Sequence, residues 1–225
     1  NSPENKERKK YTMERLPFVL RFGQETAQKP FPDAEREAFM QKLADSGAEN
    51  FSIWQIEDFW FCYGEYPELR GAEAAAQALC AVAGAELFAA PGTLPLMYHC
   101  IGIVRADKSH IRHRVFSTKL KEGCAAEYKR RHDALIEARH GVPSPGPDSN
   151  FTIWNANGYI FGYDEIDTAY RPDPSLPQKT PEEEKADTIA WETRQLEIMD
   201  WLTDDVDWLT GQKHAPSRCI FRQNA

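Results

Sequence analysis

Two side chains capable of acid–base chemistry stand one helical turn apart in the segment CAAEYKRRHD, residues 124–133. Tyr128 and His132, at i and i+4, project from one face of a helix. An imidazole with an ordinary pKa of about 6.5 can give or take a proton at neutral pH. A phenol can hydrogen-bond a substrate hydroxyl or assist a second proton transfer. The other five histidines (His99, His110, His113, His140, His214) show no metal-ligand spacing, so neither a metal nor another cofactor is expected. The five cysteines are an odd number with no CxxC pair, which argues against a disulfide framework and favours a reducing, cytoplasmic setting.

The sequence contains its own control. Asn50-Phe51-Ser52-Ile53-Trp54 recurs as Asn150-Phe151-Thr152-Ile153-Trp154, and Phe61, Tyr63 and Glu65 answer to Phe161, Tyr163 and Glu165. Both stretches sit in the same predicted order of elements, β-α-β-β-α-β, which is the ferredoxin-like split unit. The chain is therefore read as α+β, with residues 1–12 a disordered tail, 13–110 one repeat and 111–225 a second. Each unit covers one sheet face with two helices and leaves the other bare. Two units pressed sheet to sheet cover each other, forming a dimeric α/β barrel within one chain. Such an intrachain pseudo-dimer can be a monomer.

Element limits follow from local signals. Helices are predicted over 33–46 and 122–139, and again over 72–89 and from Thr180 to about Leu202, with a further turn through Trp208. Thr180-Pro181-Glu182-Glu183 reads as a capping box, and Asn157-Gly158 as a two-residue hairpin turn. A last strand, 96–104 or 218–222, is expected to close each unit. Aligned on the first long helix, Phe39 and Leu43 of the first repeat stand where Tyr128 and His132 stand in the second. An apolar packing pair has become two titratable groups, which costs stability unless they are satisfied or used. The site is thus expected in the second repeat alone.

At these residues the chain resembles the L-rhamnose mutarotase family. The resemblance rests on Glu127-Tyr128-x-x-Arg131-His132, on Asn150–Trp154 and on the strand Phe161–Asp164. It implies interconversion of the α and β anomers of a monosaccharide, L-rhamnose or a related deoxy sugar. His132 would be the proton donor and Tyr128 a sugar contact. Phe151 stands where the family has a sugar-contacting Tyr, so the pocket wall differs. Trp154, Tyr163 and Trp201 are candidates for the apolar floor under the sugar, and Arg131 flanks the histidine. Two readings compete: a sugar-binding or regulatory protein without catalysis, and a haem-handling or cofactor-free monooxygenase on the same barrel.

Composition narrows the field around these motifs. In 225 residues, 27 Lys and Arg face 35 Asp and Glu, a net charge of −8. A general nucleic-acid binder usually carries a basic excess, so none is expected. No run of 18 apolar residues exists, so no membrane span is expected either. A neutral small molecule fits this balance.

Overall fold

The computed structural model describes residues 13–23, 30–100, 107–142, 146–175, 179–203 and 217–223; the predicted tail at 1–12 lies outside them. The first half runs β1 (Glu14–Arg15), β2 (Phe18–Arg21), α1 (Asp33–Asp45), β3 (Glu49–Ile56), β4 (Phe59–Tyr66), α2 (Leu69–Ala83) and β5 (Glu86–Ala89), followed by β6 (Leu96–His99). The second half repeats the order: β7 (Ile111–Leu120), α3 (Ala125–Glu137), β8 (Asp148–Ala156), β9 (Tyr159–Asp167), α4 (Pro181–Gln195) and β10 (Met199–Thr203), followed by β11 (Arg218–Gln223). These are two ferredoxin-like units packed sheet to sheet as an intrachain α/β barrel.

Local chemistry accounts for most boundaries. Thr180 and Glu183 form the capping box at the start of α4, with Pro181 as its first residue. Asn157 (φ +53°) and Gly158 (φ +90°) make the β8–β9 turn with both residues in the left-handed region, as a type I′ hairpin requires. Two predicted helices are too long. Gly84, at φ +64°, ends α2 by donating to the Cys80 carbonyl, and Glu86–Ala89 is a strand. Likewise α4 stops at Gln195, and Trp201 lies on β10 rather than on a helix. Short apolar runs such as 198–202 fit either period, and only pairing with β7 decides. The predicted turn through Trp208 lies outside the described residues.

The last strands also depart from expectation: they change sheets. β6 pairs with β8, placing Tyr98 opposite Ile153, and β11 pairs with β3, placing Phe221 opposite Ile53. The two sheets run β11-β3-β4-β2-β5 and β10-β7-β9-β8-β6, with β1 also on β4. Because β5 and β10 already occupy the edges beside β2 and β7, the edges of β3 and β8 are open to these strands. Each half thus completes the other's sheet. The expected extension to Val104 falls outside the described residues beyond Cys100.

Strand alternation sorts the side chains into two cores. Phe59, Phe61, Tyr63 and Trp54 of the first sheet meet Phe161, Tyr163, Val115 and Trp154 of the second. Residues 100 apart meet their own counterparts. Phe61 stacks on Phe161 with centroids 5.1 Å apart and planes 3° from parallel, and Tyr63 on Tyr163 at 3.6 Å and 5°. This is the self-complementary contact expected across a two-fold axis.

Beside the tyrosines lies a buried polar knot. Asn50 Nδ2 donates to Glu165 Oε1 (2.7 Å) and to Glu65 Oε1 (3.0 Å). Asn150 Nδ2 donates to the Tyr63 hydroxyl (2.8 Å), and Tyr63 donates to Glu65 Oε1 (2.7 Å). Lys108 pairs with Glu165, and Arg15 donates to Asn150 Oδ1. Burial works to raise the Glu165 pKa, but Lys108 and both asparagines outweigh it and hold the carboxylate below its ordinary range. Both asparagines sit in the left-handed region, at φ +48° and +52°, which Asn tolerates better than most residues.

Replacing Asn150 separates its two contributions. Asn150→Gly keeps the backbone geometry but loses the bonds and leaves buried partners unsatisfied, an expected loss of about 1–3 kcal/mol. Asn150→Ala should cost roughly 1–2 kcal/mol more, because a β-carbon is forced into the left-handed region. Denaturant unfolding of the two variants measures both, and equal stabilities would deny the backbone term.

Candidate active site

The helix-facing sides of the two sheets differ, although their backbones match. In the first half the space between sheet and helices is filled by Phe39, Leu43, Phe51, Trp60, Leu79 and, from β11, Phe221. Phe221 meets Phe39 at 5.4 Å and Phe31 at 4.8 Å. In the second half the same space is a cavity of about 490 Å³, within the range of small-molecule sites.

Several polar wall residues have an apolar or absent counterpart. Tyr128 and His132, the buried pair of α3, stand for Phe39 and Leu43 of α1. Tyr98 occupies on β6 the register that Phe221 occupies on β11. Asp164 stands 100 residues beyond Gly64, where an added β-carbon would lie 2.6 Å from the Tyr66 ring and 2.9 Å from Phe51. The first half has no room for a side chain there. Counting the two fifteen-residue helices from their first residues sets Gln195 opposite Ala83 and Trp191 opposite Leu79.

His132 is held in one orientation. Its Nδ1 lies 2.9 Å from the Tyr128 carbonyl, which can only accept, so Nδ1 carries the proton and Nε2 keeps its lone pair. Three rings surround it: Tyr128 at 4.2 Å, Trp191 edge-on at 5.1 Å and Tyr98 at 5.4 Å. Burial in this cage lowers its pKa to about 4, against a smaller raising effect of the Tyr128 carbonyl, so at neutral pH the imidazole is uncharged. Burial also pushes the Tyr128 phenol well up, so it remains a hydroxyl.

A carboxyl group shows the opposite displacement. Asp164 is buried, and desolvation together with the hydrogen-bonded Asp148 carboxyl raises its pKa to about 8. It is therefore protonated at neutral pH. Among the described residues its Oδ1 has no hydrogen-bond partner. Arg114, also in the wall, tempers the shift. The floor is aromatic: Phe116 meets Phe151 at 6.0 Å and Trp201 at 6.1 Å. Gly162 makes room for the Phe116 ring, since a β-carbon there would fall 2.1 Å from it.

Of the residues singled out in the sequence, Tyr128, His132, Phe151 and Trp201 line this cavity. Trp154 and Tyr163 do not. On their strands they alternate to the face that meets the other sheet, where both belong to the inter-sheet core. Arg131 also stays out of the cavity. It is bound to Glu127 (2.7 Å), Glu197 (2.9 Å) and the Arg194 carbonyl, and so ties α3 to the end of α4. Asp164, Asp148, Tyr98, Trp191 and Gln195 were missed. The signal for Asp164 was present, a carboxylate replacing glycine inside the repeated motif; Tyr98 gives none, because the exchange of strands leaves no mark on its own segment.

No family model matches the chain, and no curated protein does. Among solved structures, a protein of Fusobacterium nucleatum subsp. nucleatum with a provisional monooxygenase designation matches at a TM-score of 0.42 and 5% identity. The match covers 94% of this chain and 96% of that one. A likeness of this degree carries no inference about activity. Among the described residues no group of three metal-ligating side chains occurs, and no helix is long and apolar enough to cross a membrane.

The two displaced groups give stability opposite pH dependences. His132, about 4 when folded against about 6.5 when unfolded, destabilises the fold as pH falls through that window. His113, also lowered to about 4 by burial and by Arg222, adds to this loss. Asp164 takes up its proton in the folded state up to about pH 8, so its share of stability is lost as pH rises from its unfolded value toward 8. Thermal unfolding across pH should show both limbs. Asp164→Asn should flatten the alkaline one and His132→Gln only part of the acid one. An unchanged alkaline limb in Asp164→Asn would contradict the raised pKa.

Proposed function

We propose that the protein is a sugar mutarotase that interconverts the α and β anomers of a monosaccharide, L-rhamnose or a related deoxy sugar, without a cofactor. The observation that supports this best is the pairing of a neutral imidazole with a protonated carboxyl in one aromatic-walled cavity. Mutarotation needs a base for the anomeric hydroxyl and an acid for the ring oxygen. His132 Nε2 takes the hydroxyl proton while the Asp164 carboxyl protonates the ring oxygen and the C1–O5 bond breaks. The open aldehyde turns about C1–C2 and recloses. Asp164 then recovers its proton from the O5 hydroxyl, and His132 returns its own to the former carbonyl oxygen. The sequence-based expectation had His132 as the acid; its tautomer and lowered pKa favour the base. Phe116, Phe151 and Trp201 offer the apolar floor against which a sugar's C–H face packs, and Tyr128 and Tyr98 offer hydroxyls.

Magnetisation exchange between the anomeric proton signals of L-rhamnose and L-fucose tests this reading. The protein should accelerate exchange, and His132→Ala should remove roughly 10²–10⁴ of that acceleration. The rate should fall below about pH 4 as His132 is protonated and above about pH 8 as Asp164 ionises. Anomeric signals that exchange no faster with protein than with buffer would reject the assignment.

A further inference from the structure

Among the described residues, the side chain of Gln195 finds no hydrogen-bond partner although it is buried. It is 1% exposed, and neither Oε1 nor Nε2 makes a hydrogen bond to any of them. It sits in the last turn of α4 and forms part of the cavity wall, while its counterpart in the other half, Ala83, belongs to an apolar core. A carboxamide removed from water with nothing to bind weakens the folded state, and an apolar group of similar shape there is neutral or stabilising. Such a residue is retained where something else uses it. We propose that Gln195 is the specificity-determining residue of the cavity, reading a hydroxyl of a neutral, polyhydroxylated ligand.

The chemistry of the wall selects that class. Gln195 presents one acceptor and two donors, and a hydroxyl, which both donates and accepts, matches either. Asp164 Oδ1, also without a hydrogen bond among the described residues, asks for the same kind of group. The formal charges of Arg112 and Arg114 are balanced by those of Asp148 and Glu192 in the same wall, so the lining does not favour an anion. A site built to bond a hydroxyl discriminates strongly against an analogue lacking it, because the buried amide is then left unpaired. The inference rests on the sugar-ligand reading given above and names the residue that would choose among sugars.

Two substitutions test it, Gln195→Leu and Gln195→Met, both close to the volume of glutamine. Each should raise the melting temperature of the ligand-free protein. Each should also weaken binding of L-rhamnose or L-fucose, read by calorimetry, at least tenfold. D-glucuronate, the anionic control, should bind the wild type more weakly than the neutral sugars. A lowered melting temperature with unchanged sugar affinity in both variants would make Gln195 a packing residue and overturn the proposal. So would tighter binding of D-glucuronate, or no binding of either neutral sugar. Wild-type protein that binds these sugars and loses affinity in the variants, yet exchanges no anomers, would reject the mutarotase reading and leave the role of Gln195 standing.

Discussion

Tyr63 and Tyr163 lie ring on ring at the pseudo-two-fold axis, and the carboxylates and carboxamides around them must be satisfied there or nowhere. Glu65 and Glu165 are drawn between the sheets by strand alternation, since each is two residues past a tyrosine that packs on its twin. Their acceptors are met by Asn50, Asn150, Tyr63 and Lys108. Neither half holds a complete set. Asn50 serves the glutamate of the other half, and Asn150 the tyrosine of the other half. An isolated unit would leave these groups without their cross-sheet partners, so the barrel is the smallest unit in which the polar knot closes. Five of the seven residues shared between the two motifs, Asn50, Trp54, Phe61, Tyr63 and Glu65 with their counterparts, lie at or beside this contact. Repetition persists where each residue meets its own copy.

Away from the axis that constraint lifts, and the halves diverge. In a barrel built from two identical chains every substitution occurs twice, so a polar cavity under one sheet imposes a second under the other. Here one chain supplies both. The first half fills its helix-facing side with Phe39, Leu43, Phe221 and Leu79, and the second replaces that set by Tyr128, His132, Tyr98 and Trp191. The exchanged strands tie the two outcomes together: Phe221 from the second half seals the first core, and Tyr98 from the first half completes the second cavity. The stability lost by lining a cavity with Asp164 and Gln195 is offset by a core and an inter-sheet contact that carry neither.

The sequence made some of this legible and hid the rest for physical reasons. The repeat, the element order and the substitution of Phe39 and Leu43 by Tyr128 and His132 could be read directly, because side-chain type reports burial on a helix face. Trp154 and Tyr163 were misplaced because period-two alternation separates two faces without saying which one meets helices and which the other sheet. Both faces of these strands are buried, so hydropathy does not distinguish them. Trp201 was assigned to the wrong element yet to the right cavity, since β10 runs along the same wall that a longer α4 would have reached. The strand exchange is a matter of edges and topology, which residue patterns within β6 and β11 do not encode.

The protonation states in the cavity follow from burial. One proton can be divided between His132 and Asp164 as an imidazolium with a carboxylate, or as an imidazole with a carboxylic acid. Burial disfavours both charges, and Asp148 beside Asp164 disfavours the carboxylate again. The neutral pair therefore rests as a ready base and a ready acid. In the proposed mutarotation, a ring opening that moves one proton to the histidine and takes one from the aspartate would turn them into the charged pair, which holds the acid and the base needed for the reverse step. Reclosure on either face would then restore the neutral state with no proton drawn from solvent. Because the charged pair is the disfavoured one, a site working as proposed would be biased toward the closed ring, and would hold an open aldehyde only as long as the protons are displaced.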